Sequence, residues 1–124
     1  MATRRMFSNE VVSSDSFLDL SPLTRCLYYQ MVMEADDDGV ISRGKSIARM
    51  IGAGVENLME LATAGFILCM PSGNHVDTYW NRNNFVRKDR YKASVHQEDL
   101  DLLDCKDGRY FFKDESLNVT SHWQ

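Results

Sequence analysis

The sequence is poor in the features that mark secreted, membrane-spanning or metal-bound chains. It has three cysteines, Cys26, Cys69 and Cys105, odd in number and far apart. With no Cys-x-x-Cys pair among them, a disulfide framework is excluded and reduced thiols in a cytosol are expected. Residues 118–120 spell a glycosylation sequon, read as chance where no secretory signal accompanies it. The longest apolar stretches, such as residues 66–70, are too short to cross a bilayer, so no membrane partner is expected. The opening "MATRRMFSNEVVSSD" has two arginines and no apolar core, which argues against a signal peptide. Glycine-rich phosphate loops, His-Glu-x-x-His and Gly-x-Ser-x-Gly are all missing. His75, His96 and His122 are scattered without zinc spacing, so neither a metal nor a cofactor is expected. No catalytic constellation survives, and the chain reads as a non-enzyme.

What remains is 124 residues with 44% hydrophobic content, enough for one domain with a core. In "SPLTRCLYYQMVMEA", Ser21 is a natural N-cap and Pro22 suits the first helical position. The helix it starts is apolar around most of its circumference, which predicts burial at the centre of the domain. Upstream lies a short irregular helix, preceded by a strand at residues 5–8. Residues 40–42 read as a very short strand. A helix with Ile47, Met50 and Ile51 on one face follows, stopped at Gly52. The next helix carries Val55, Leu58, Met59 and Ala62 as a full stripe and ends before Gly65. "FILCM" and "HVDTYW", joined by "PSGN", form a hairpin with Val76, Thr78 and Trp80 on its buried face. Tyr28, Tyr29, Phe66, Cys69, Tyr79 and Trp80 read as core. Last come a basic segment, a short acidic helix in "VHQEDLDLLD", a possible hairpin around Asp107-Gly108, and a polar tail.

This order predicts an α+β, mainly helical fold: a winged helix-turn-helix over residues 21–80, with the β-hairpin as the wing. Residues 1–92 form the winged-helix domain with its flanks, and residues 93–124 a C-terminal extension.

Net charge is −4, which argues against nucleic acid until its distribution is considered. Arg43, Lys45 and Arg49 lie on the second helix and its approach with no acid between them. Past the wing, Arg82, Arg87, Lys88, Arg90 and Lys92 face a single acid, Asp89. Asn81, Asn83, Asn84, Phe85 and Tyr91 interleave with them, side chains able to hydrogen-bond or stack on a nucleic acid. A phosphate-contacting strip at and beyond the wing is the expectation, with Arg43, Lys45, Arg82, Arg87, Lys88, Arg90 and Lys92 as DNA-binding residues. The third helix exposes Glu56, Asn57, Glu60 and Thr63, and two carboxylates there would repel phosphates. Weak sequence specificity follows.

"EADDDG" packs four carboxylates into five positions before Gly39. Aligned on a calcium loop it places Glu34, Asp36 and Asp38 correctly, but the final bidentate position is Lys45, and calcium is excluded. Consecutive aspartates on a turn point into water, which removes acid–base work. The run therefore stops the central helix. Because acids oppose the dipole at a helix C-terminus, Arg43, Lys45 or Arg49 are the expected partners.

"RRMFS", "SDSFLDL", "EADDDGVI", "IARMIGA", "AGFI" and "RKDRY" together resemble the N-terminal domain of phage replisome organizers, DnaD-like replication initiation proteins. The resemblance runs from about Arg4 to Lys92. It implies a winged-helix domain that recognises origin DNA, self-associates as a homo-oligomer in the bacterial cytoplasm, and helps recruit helicase-loading proteins. Family members are usually longer, and the helicase-loader contacts belong to a region not present in this sequence. Two alternatives stand beside this reading. One is a winged-helix oligomerisation module without its own DNA binding, and the other is a transcriptional regulator.

Overall fold

The computed structural model describes residues 4–118; Thr120 of the sequon and His122 of the tail lie outside them. The described residues form an α+β fold with two small antiparallel sheets.

Two single-turn helices, α1 (Asn9–Val12) and α2 (Asp15–Leu18), start at Ser8 and Ser14, whose hydroxyls accept from backbone N–H groups of the first turn. No strand forms at residues 5–8. The Met6 N–H donates to Asn84 Oδ1 at 2.8 Å and the Ser8 N–H to Asn83 Oδ1 at 2.9 Å, so side-chain amides replace a ladder. In α3 (Pro22–Glu34), Ser21 Oγ accepts from the Thr24 N–H, and Pro22 stands in the first turn. Leu27, Tyr28, Met31 and Val32 are completely buried. Burial is not all round, because Leu23, Tyr29 and Met33 reach the surface at 37–44% exposure. The chain then makes β1 (Val40–Ile41), α4 (Gly44–Met50), α5 (Val55–Thr63), β2 (Ile67–Cys69) and β3 (His75–Asp77).

The first sheet has the order β1-β3-β2, all antiparallel, with Val76 between Val40 and Leu68. Its two faces enter different cores. Ile41 and Ile67 join Leu27, Tyr28, Met31, Leu58, Leu61 and Trp80 in the main cluster. Val40 and Val76 meet Met70, Leu103 and Phe112 in a second one. The predicted hairpin forms between β2 and β3, but it is not one-sided. Every residue of β3 is buried, the strand ends at Asp77, and Trp80 opens a helical turn, α6 (Trp80–Asn83). Alternation predicts a wet face, and here the C-terminal residues cover it.

That cover consists of α7 (Gln97–Leu100) and a second hairpin, β4 (Leu103–Lys106) with β5 (Arg109–Phe112). Asp107 and Gly108 join these strands with φ of +55° and +76°, as an Asp-Gly hairpin turn requires. Among the described residues no helix is long and apolar enough to cross a membrane.

Candidate nucleic-acid interface

The acidic turn is built by its own side chains and then clamped from a distance. Asp36 Oδ1 accepts from the N–H groups of Asp38 at 2.9 Å and Val40 at 3.0 Å, closing the loop between α3 and β1. The expectation that these aspartates point into water and pair with Arg43, Lys45 or Arg49 is corrected. Asp37 is 6% exposed, and its Oδ1 pairs with Arg5 Nη1 at 3.3 Å. Its Oδ2 accepts from the Lys92 N–H at 3.1 Å. Asp38 accepts from Tyr91 Oη at 2.7 Å and from the Ser94 N–H at 2.9 Å. Ser94 Oγ donates to Asp36 Oδ2 at 2.5 Å. The donors come from the N-terminus and from a segment more than fifty residues downstream, which no local pattern reveals. Bonding to Asp38 pushes the Tyr91 phenol up to about 12, because a phenolate there would face a carboxylate.

The consequence for the basic loop is specific. The acids hold its backbone, one phenol and one serine, while its cations remain outside the clamp. Arg87 pairs with Asp89 at 3.1 Å, but both side chains are more than 60% exposed, so the pair is weak. Lys88, Arg90 and Lys92 are exposed, and their side chains have no hydrogen bond or ion pair among the described residues. A cavity of about 200 Å³ opens beside the loop, with Asp36, Ser42, Lys92 and His96 among its walls. Ser42 precedes Arg43, so the approach to α4 and the basic loop share this cleft.

The seven predicted cations fall in three places. Arg87, Lys88, Arg90 and Lys92 lie on the loop whose end, from Tyr91 to Ser94, bonds the acidic turn. Arg43 and Lys45 are exposed at the start of α4, where burial and then the Lys45 charge depress the pKa of His75. Arg82 lies apart, its Nε donating to the Asp107 carbonyl at 2.8 Å and its guanidinium 5.7 Å from the Tyr79 ring centre. The tip of the β2–β3 hairpin carries no cation. Ser72 Oγ and Asn74 Nδ2 donate to Asp99 at 2.7 and 2.8 Å, tying the tip to α7.

Two of the interleaved asparagines have structural work instead of free amides. Asn83 is 4% exposed and bonds Ser8, Tyr28 and Asp77, and Asn84 holds Met6. Phe85 stays free at 77% exposure. The picture of an acidic α5 also changes. Glu60 accepts from Thr24 Oγ1 and from Ser21 Oγ, and Asn57 Nδ2 donates to Thr24 Oγ1 at 3.0 Å. The Thr24 bond, with the Ser21 bonds behind it, holds Glu60 below the usual carboxylate range. Both residues thus brace the start of α3. The exposed face of α5 is left with Val55, Glu56, Met59 and Thr63, one carboxylate among mostly apolar groups.

Beneath α3 lies a buried polar network without a cation. Tyr28 Oη donates to Asp77 Oδ1 at 2.7 Å, Asn83 Nδ2 to Asp77 Oδ2 at 3.2 Å, and the Tyr79 N–H to Oδ1 at 3.2 Å. Asp77 has no solvent exposure, and desolvation raises its pKa from 3.8 to about 6 against the three donors. A raised folded-state pKa gives stability that is complete below pH 3.8 and is lost as pH rises through about 6. The shift amounts to about 3 kcal/mol. Urea titrations should therefore show the wild type losing stability from this group between about pH 4 and 7, while Asp77→Asn lacks that component. Identical pH profiles for both proteins would refute the assignment.

Sequence reasoning missed Arg5 and Ser94, whose roles depend on long-range contacts. It also missed Lys106 and Arg109, although the Asp-Gly dipeptide between them was a usable signal: a two-residue turn sets its flanking residues opposite each other. Compared with known proteins, the chain matches no family model, no curated protein and no solved structure.

Proposed function

We propose that residues 21–80 are a winged helix-turn-helix, and that the chain is the non-catalytic DNA-binding and self-association domain of a phage-type replication initiator. The order helix–strand–helix–helix–strand–strand, with the first strand pairing the last, supports the fold assignment. The observation that carries the function is the loop of residues 87–92. Its end is held by Asp37 at the Lys92 N–H and by Asp38 at the Tyr91 hydroxyl, while Lys88, Arg90 and Lys92 stay exposed and unpaired among the described residues. Exposed cations that have no protein carboxylate to give up suit phosphates, and phosphate contacts position a protein on DNA without reading sequence. The scarcity of base-reading groups on α5 agrees with low specificity, since Asn57 is occupied and Thr63 is the one uncharged hydrogen-bonding side chain left on its exposed face. Origin DNA as the target, the host cytoplasm as the site of action, and recruitment of helicase loaders through a further region rest on the family resemblance.

The test is a fluorescence-anisotropy titration of duplex DNA with the wild type and a variant carrying Gln at Arg87, Lys88, Arg90 and Lys92. Loss of at least about tenfold in affinity is expected, since charge-assisted contacts to phosphate dominate such binding. Equal affinity would sink the reading.

A second reading, an oligomerisation module without its own DNA binding, is favoured by one observation. Met50, Val55 and Met59 are 70%, 55% and 41% exposed on α4 and α5. A tight oligomer in sedimentation, with no duplex affinity, would select it.

A further inference from the structure

The hairpin of β4 and β5 carries a second cationic surface. Pairing sets Lys106 directly opposite Arg109, and Asp104 opposite Phe111. Side chains alternate along a strand, so these four share the outer face while Leu103 and Phe112 enter the core. Arg82 joins them from α6. Its stem lies against the turn, where a Cβ on Gly108 would fall 2.5 Å from Arg82 Cγ. The guanidinium carbons of Arg82 and Arg109 lie 5.7 and 6.0 Å from the centre of the same Tyr79 ring. Arg82, Lys106, Asp107, Arg109 and Phe111 line an open cavity of about 320 Å³.

Like charges directly opposite on paired strands repel, and the face of Tyr79 offsets only part of that. Apart from the bond from Arg82 to the Asp107 carbonyl, the three cations make no hydrogen bond or ion pair among the described residues. One carboxylate, Asp107, stands in the cavity wall against three cations, and a second, Asp104, shares the outer face opposite Phe111. A phosphate diester meets the two guanidinium forks and the ammonium better than water does, because its oxygens accept several charge-assisted bonds at once. Phe111, 40% exposed on the same face, adds an aromatic platform beside the cations.

We propose that this hairpin binds single-stranded nucleic acid, with a phosphate between Arg82, Lys106 and Arg109 and an unpaired base stacked on Phe111. A duplex hides its base faces in its own stack, so the aromatic platform selects the single strand. The inference shares with the proposed function only that the ligand is a nucleic acid, and apart from Arg82 it uses different residues.

The test is anisotropy of the full chain with labelled oligo(dT) and oligo(U) of about 15 nucleotides, within the range of site sizes of single-strand-binding folds; the better binder identifies DNA or RNA as the source. Lys106→Gln/Arg109→Gln should weaken binding at least about tenfold and flatten the log–log salt slope by about 0.7, the value of the one single-strand phosphate they hold. Phe111→Ala should cost about tenfold, the lower part of the range for a lost stack, while Phe111→Tyr retains binding. Circular dichroism of each variant checks that the exposed substitutions leave the fold intact. Unchanged binding in the double variant or in Phe111→Ala overturns the proposal, as does an abasic oligomer that binds equally well. The Gln variant of residues 87–92 separates the two sites. If it loses duplex but keeps oligo(dT), both stand; if it alone loses oligo(dT), the hairpin proposal fails and the duplex reading survives.

Discussion

Asp37→Ala should lower folding stability by about 3–5 kcal/mol, the loss typical of a buried charge stripped of its partner. Arg5 and Asp37 side chains are each only 2% accessible, so neither can recover its hydration in the folded protein. Arg5 Nη2 also donates to the Ala35 carbonyl at 2.6 Å, and the guanidinium lies 5.0 Å from the Trp80 ring centre. Trp80 in turn donates from Nε1 to the Asp37 carbonyl at 3.1 Å. The N-terminal residues, the acidic turn and α6 are thus joined through one ion pair. Removing the carboxylate leaves the guanidinium held in place with no counter-charge, which is why the loss exceeds the value of an exposed pair. Thermal unfolding should fall by roughly 4 °C per kcal/mol in a chain of this size. Arg5→Met combined with Asp37→Ala should recover part of the loss, giving a coupling of about 2 kcal/mol in a double-mutant cycle. Strict additivity would mean that the two side chains do not depend on each other.

Gly39→Ala is the second large effect, at roughly 2–5 kcal/mol. Gly39 has φ of +88°, a region that costs other residues about 1–2 kcal/mol. A Cβ there would also fall 2.6 Å from Trp80 Cγ and 2.7 Å from Trp80 Cβ. Trp80 is 2% exposed and cannot step aside without opening the main cluster, and overpacking of that kind adds about 1–3 kcal/mol. Gly73 is the control. It has φ of +93° but nothing within 4 Å of its would-be Cβ, so Gly73→Ala should show the backbone cost alone. Chemical denaturation of the two variants separates strain from collision. Equal losses would remove the Trp80 contact from the explanation.

The contrast between these glycines marks what sequence could and could not convey. The start of α3 at Ser21-Pro22, the stop at Gly52 and the Asp-Gly turn were legible, because each is written within a few residues. The apolar faces of α4 and α5 were only half legible: Ile47, Leu58 and Ala62 are buried, but Met50, Val55 and Met59 of the predicted stripes are exposed, and Leu61 is buried in their place. The acidic run was legible as a turn before β1. Its partners were not, since Arg5 and residues 91–94 reach it only through the finished fold. The β2–β3 hairpin was misjudged for a related reason: alternation describes a strand with one dry face, and β3 has two. Glu60 and Asn57 look like surface residues on a helical wheel, yet they brace Ser21 and Thr24, a contact that depends on how α3 crosses α5. For the candidate site, the cations of residues 87–92 were visible as composition. That the acids beside them spend their oxygens on backbone and hydroxyl donors and on Arg5 was visible only in three dimensions.

The salt dependence of duplex DNA binding tests the central claim most directly. If the cations of residues 87–92 contact phosphates, log affinity against log salt should fall with a slope of about −3 to −4, at about −0.9 per contact. The same slope should flatten by most of that amount when Arg87, Lys88, Arg90 and Lys92 become glutamine. A slope near zero for the wild type, or one that the substitutions leave unchanged, would contradict the account.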